Sequence, residues 1–173
     1  MAIKRYFAEK DNTITNAFEP NLVTRGTGSN MGLADRVEVF SIYAQANSSS
    51  LEAARTLIQF PVTSSEYPNV TTILQDRSSG KIPASGSVNF YLRMFNVPTD
   101  QTVPRNFTLV VSPISQSWEE GLGVDLDNYS DLTYNGTGSN WINARAHTAW
   151  GNQGGDYLTA SVYSEFNYTQ TFD

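Results

Sequence analysis

Ser87–Val97 reads SVNFYLRMFNV. Val88, Phe90, Leu92 and Met94 share one parity; Asn89, Tyr91, Arg93 and Phe95 share the other. That is the period-two pattern of a strand with one face in a core. Working outward, Asn106–Val111 alternates likewise, with Phe107, Leu109 and Val111 directed inward. Ala54, Thr56, Ile58 and Phe60 form a third such face, which Pro61 ends. Arg36–Ala44 is a fourth expected strand. Its parity slips between Val39 and Phe40, as a bulge or burial on both faces would cause. Ala160–Phe172, rich in Tyr, Phe, Thr and Val, adds another, and Ile3–Phe7 and Thr13–Phe18 add short ones. Helical signal is scarce: Ser50–Ala54 has some propensity but leads directly into a strand, and Asn69–Arg77 fits about two turns, after which Gly80, Pro83 and Gly86 punctuate the chain. The pattern predicts an all-β fold, an antiparallel β-sandwich or jelly roll. Residues 1–20 read as an N-terminal strand or arm, and residues 21–173 as the sandwich, with a long Trp/Gly/Asp-rich loop at 119–140.

Composition narrows the function classes. Only 16% of the 173 residues are charged, below the usual quarter. Ser, Thr, Asn and Gln fill the gap, as in all-β surface and virion proteins. A net charge of −6 without a Lys/Arg cluster argues against nucleic acid as a partner. The absence of cysteine excludes a disulfide scaffold and a thiolate metal site. No apolar run reaches the ~18 residues of a membrane span, and no apolar signal segment follows Met1.

Gly-Thr-Gly-Ser-Asn occurs twice, at Gly26–Asn30 and Gly136–Asn140. A dinucleotide fingerprint needs a third glycine and a following helix. Met31 and Trp141 occupy the third-glycine positions, and no helix is expected after either loop. The loops read as turns that set Asn30-Met31-Gly32 and Asn140-Trp141 against a core.

The remaining chemistry is sparse. Trp118-Glu119-Glu120-Gly121 offers two carboxylates, but neighbours in an extended segment point to opposite faces and make a poor acid–base pair. The favoured reading has one Glu accepting hydrogen bonds from loop backbone while Trp118 packs. DLDNYSD gathers Asp125, Asp127 and Asp131, oxygens that a hard cation such as Ca²⁺ takes. The EF-hand pattern fails there, so a solvated acidic loop is favoured over a Ca²⁺ site, and no other cofactor is expected. His147 is the single histidine, with no Cys and no GxSxG, so no nucleophile–base system is evident. All three tryptophans fall between Trp118 and Trp150. They could fill the core, or Trp141, Trp150 and Tyr157 could stack on a glycan.

In chain order, the sequence presents Asp11, Asn30-Met31-Gly32, Arg55 to Phe60, Ile82-Pro83 and Val88 to Leu92. Trp118-Glu119-Glu120-Gly121, Asn140-Trp141, Trp150 and Gly154-Gly155-Asp156 follow. This series resembles the DNRLRE-type domains, β-sandwich modules related to disaggregatase repeats, with Leu122–Ser139 as an insertion. The N-terminal half resembles virion structural proteins of marine tailed bacteriophages, which carry such sandwiches. The resemblance implies that the Trp/Glu/Gly motif residues are structural. It also implies a sheet continuing past Asp173 or completed by a partner. The expectation is a non-enzymatic virion structural protein that attaches to or decorates capsid, neck or tail. It would sit in the virion, contact other virion proteins and form homo-oligomers. The alternative is a carbohydrate-binding module for surface glycans.

Overall fold

The computed structural model describes residues 3–83, 88–98, 106–124, 138–158 and 164–169. They form β1 (Lys10–Thr15), β2 (Phe40–Tyr43), β3 (Leu51–Gln59), α1 (Ile73–Ser78), β4 (Asn106–Val111), β5 (Asn143–Arg145), β6 (Thr148–Ala149) and β7 (Ser164–Thr169). Every ladder is antiparallel: a three-stranded sheet in the order β1-β3-β2, and the pairs β4-β7 and β5-β6. The protein is mostly strand with little helix, the coarse class its alternation implies. No described helix is long and apolar enough to cross a membrane.

β3 is central, pairing β1 on one edge and β2 on the other, and the chain packs on both of its faces. Thr13 pairs with Thr56 and Thr15 with Ala54, which puts these four side chains on one face. Residues 36–39 cross that face: Glu38 N donates to Thr13 Oγ1 at 2.9 Å, and Thr56 Oγ1 donates to the Glu38 carbonyl at 3.2 Å. The expected strand Arg36–Ala44 therefore begins only at Phe40. Its parity slip marks the point where the chain leaves this crossing and joins the β3 edge, not a bulge. On the opposite face lie Asn12, Ile14, Ala53, Arg55 and Leu57. Ile14 and Leu57 meet Trp118, Trp141, Ala144 and Trp150 in one buried cluster, with Ala53 and Ile114 packed against it. The core is thus one sheet face closed by the tryptophan-bearing segment.

α1 overlaps the expected helical region, ending one residue beyond it at Ser78. Thr72 Oγ1 accepts from Gln75 N at 3.1 Å, and Gln75 Oε1 accepts from Thr72 N at 2.9 Å, a reciprocal capping box. Gly80, at φ 74°, follows the last turn in the left-handed conformation that ends helices. β4 confirms the Asn106–Val111 alternation, with Phe107 and Leu109 half-buried, while Val111 is exposed. β7 lies inside Ala160–Phe172 and pairs with β4.

Two expected strands do not form. Residues 88–98 join no ladder among the described residues, and Phe90, Tyr91, Met94, Phe95 and Val97 are exposed. Alternation makes a segment competent for pairing; it does not bring a partner strand alongside. Ile3–Phe7 likewise runs outside the sheet.

Candidate functional site

The two Gly-Thr-Gly-Ser-Asn loops, far apart in sequence, meet in space. Trp141 N donates to the Thr27 carbonyl at 3.1 Å, tying the second loop to the first. Asn12, fully buried in β1, bridges them. Its Nδ2 donates to Ser139 O at 3.0 Å and Ser139 Oγ at 2.8 Å, and its Oδ1 accepts from Met31 N at 2.8 Å. The asparagine that ends each repeat substitutes for a missing backbone acceptor. Asn30 Oδ1 accepts from Gly123 N at 2.8 Å; Asn140 Oδ1 accepts from Ile142 N and Asn143 N at 2.9 and 2.8 Å. Buried backbone amides need such partners where no ladder supplies them.

Glycine lets these loops close. Gly121 (φ 94°) and Gly138 (φ 101°) adopt left-handed backbone. A Cβ on Gly121 would strike the Asn30 amide, and one on Gly138 would strike Gly121 Cα.

The acidic residues are committed to the same framework. Glu119 Oε2 accepts from Gly138 N at 3.3 Å and Ala146 N at 3.2 Å. Glu120 Oε1 instead accepts from Asp11 N at 2.9 Å, at the β1 edge. The adjacent carboxylates serve two different segments, as neighbours directed to opposite sides should. Burial pushes the Asp11 carboxyl up from its ordinary value. Asp156 accepts from Gly151 N and Asn152 N, both at 2.7 Å. The Gly151 amide is the main cause holding the Asp156 carboxyl below its ordinary value.

Trp118, Trp141 and Trp150 are only 7, 7 and 5% exposed. Trp150 Nε1 donates to the Asn140 carbonyl at 2.8 Å, so its one polar atom is satisfied inside. The glycan-stacking expectation for Trp141 and Trp150 is corrected on this point: their rings face the core, and only Tyr157 of that trio is exposed. Arg55 explains how Tyr157 is held. Its guanidinium lies 4.8 Å from the Trp141 ring centroid and 4.8 Å from that of Tyr157, and donates to Gly154 O at 2.6 Å. Gly154 and Gly155, both at positive φ, carry the chain past this stack.

His147 is exposed on the two-residue turn between β5 and β6, at φ 56°. Among the described residues no cluster of three or more His, Asp or Glu side chains could hold a metal. Asp125, Asp127 and Asp131 lie outside the described residues. Sequence reasoning singled out Trp118, Glu119, Glu120, Gly121, Asn140, Trp141, Trp150, Gly154, Gly155 and Asp156. The described contacts bring them into one interlocked region. It missed Asn12 as the central bridge, whose partner Ser139 is 127 positions away. No local pattern marks such a contact.

No protein family, curated protein or solved structure matches the chain.

Proposed function

We propose that this chain is a non-enzymatic structural protein of a tailed-phage virion. It attaches to or decorates capsid, neck or tail through a DNRLRE-type β-sandwich to which the β1-β3-β2 sheet and the β4-β7 ladder both contribute. One observation carries the non-catalytic reading: Glu119, Glu120 and Asp156 each accept backbone amides, and the three indoles fill the core. These groups are spent on holding loops shut. The exposed apolar side chains of residues 88–98 supply surface for assembly with other virion proteins or further copies of this chain. Immunogold labelling of purified virions from the phage that encodes the chain tests the reading. Label at a defined, repeated position on the particle is expected; unlabelled particles carrying no peptide from this chain overturn it.

The glycan-binding alternative is weakened by the burial of Trp141 and Trp150, which leaves Tyr157 as the one exposed ring of that trio. A glycan array probed with the purified protein is expected to show no specific binding.

A further inference from the structure

The start of the described chain is an arm. Residues 3–8 run beside α1 and the loop before it, and the arm reaches the sheet where Glu9 N donates to Gln59 O at 2.8 Å. Its main fastening is one carboxylate. Asp76, fully buried, accepts from Tyr6 Oη at 2.7 Å and pairs with Lys4 Nζ at 3.0 Å; Lys81 Nζ stands 3.5 Å away. At the base, Glu9 binds Ser65 and Lys10 pairs with Glu66.

The rest of the contact is loose. A depression of about 290 Å³ separates Lys4–Glu9 from Pro61, Tyr67, Val70 and Thr71. Ile3 and Phe7 are 82 and 81% exposed. The arm docks by polar contacts around Asp76, and two of its apolar side chains find no cover in the closed chain. Charge is also divided unevenly. Residues 3–9 hold two of the eleven Lys/Arg, Lys4 and Arg5, and one of the seventeen Asp/Glu, Glu9, whereas the rest of the chain is strongly acidic. A basic arm therefore faces an acidic body, and the body of a second copy is equally acidic.

We propose that the arm is exchanged between copies, with residues 3–7 of one chain docking on Asp76 of another by pivoting near Ala8–Glu9. The exchanged state remakes the same Lys4, Tyr6 and Asp76 contacts, so little is lost on opening. Phe7 adjoins the pivot, so the Phe7 side chains of two crossing arms meet there, which favours the exchanged pair over the closed chain. This deepens the assembly role proposed above, yet the purified chain tests it without any virus.

Because the chain has no cysteine, introduced thiols report cleanly. Phe7→Cys and Tyr67→Cys place one thiol on the arm and one on the body, on either side of the same depression. The two single variants are mixed and treated with a short bismaleimide. A covalent dimer that grows with protein concentration is expected, and Asp76→Asn in the Tyr67→Cys chain should lower its yield by about tenfold, as loss of a charged hydrogen-bond partner implies. Sedimentation of the unmodified chain, which needs no substitution, should show a concentration-dependent dimer. Cross-linking confined within one chain of the double variant at every concentration, no cross-link at all, or a dimer indifferent to Asp76→Asn each overturns the proposal. Virion labelling is unaffected by any of these results, so the two readings fail separately.

Discussion

The loop region around Asn12 and the extended segment 88–98 invert each other's composition. Around Asn12, polar side chains are buried: Asn12, Ser29, Asn30, Ser139 and Asn140 sit inside beside three indoles. Along residues 88–98, Phe90, Tyr91, Phe95 and Val97 are exposed. The first region shows how a protein with short ladders closes a core. Asparagine side chains supply the acceptors that a longer sheet would supply from backbone. The second shows that apolar alternation by itself does not decide burial.

Substitutions should separate the two regions sharply. Trp150→Ala removes a buried ring and its bond to the Asn140 carbonyl. Urea denaturation should show a loss of about 3–5 kcal/mol, and a loss under 1 kcal/mol would mean that the ring is not in the core. Asn12→Ala leaves Met31 N and the Ser139 groups without their partner. The expected cost in the same assay is about 2–3 kcal/mol.

Acidity and alkalinity probe the arm. Its Tyr6 and Lys4 contacts, Tyr6 first, hold the Asp76 carboxyl below its ordinary 3.8. Burial, aided by Asp76, pushes the Tyr6 phenol up to about 12. A lowered carboxyl contributes stability above its unfolded value and loses it as pH falls through the folded one; Asp156 behaves likewise. A raised phenol contributes below its ordinary 10.0 and loses that contribution as pH rises through about 12. Arm docking, followed by the ultraviolet absorbance of Tyr6 against a Tyr6→Phe control, should therefore be level between these limits. A phenol titrating near 10 in the native protein would show that Tyr6 does not engage Asp76.

On the exposed side, Phe95→Ser should leave unfolding within about 0.5 kcal/mol of the parent, while reducing any self-association seen by light scattering. A large destabilisation would place residues 88–98 in a core after all. Smallest of all should be Ser29→Ala. Its Oγ is buried with no hydrogen-bond partner among the described residues, so its removal is expected to be neutral or slightly stabilising in thermal melts.

These contrasts also explain what could be read from the sequence. β3, β4 and α1 were legible as elements because their information is local: alternation, a proline stop at Pro61 and the Thr72–Gln75 cap. The core face of β3 was misread, because Leu57 and Ala53, not Thr56, Ile58 and Phe60, meet the tryptophan cluster. The tryptophan cluster was legible as a region, and the divergence of Glu119 and Glu120 followed from their adjacency. The crossing at residues 36–39 was not, because apolar Val37 and Val39 mimic strand parity while Glu38 makes the contacts that matter. The meeting of the two Gly-Thr-Gly-Ser-Asn loops was hidden for another reason. Their partner is Asn12, an ordinary polar residue distant from both, and spatial convergence leaves no periodic trace.

Native-state hydrogen exchange tests the central claim most directly. If asparagine side chains close the core as a sheet would, the amides of Met31, Gly123, Ile142 and Asn143 should exchange only with the global opening that also releases β1 and β3. Fast exchange at those four amides while the β1–β3 ladder stays protected would contradict the account.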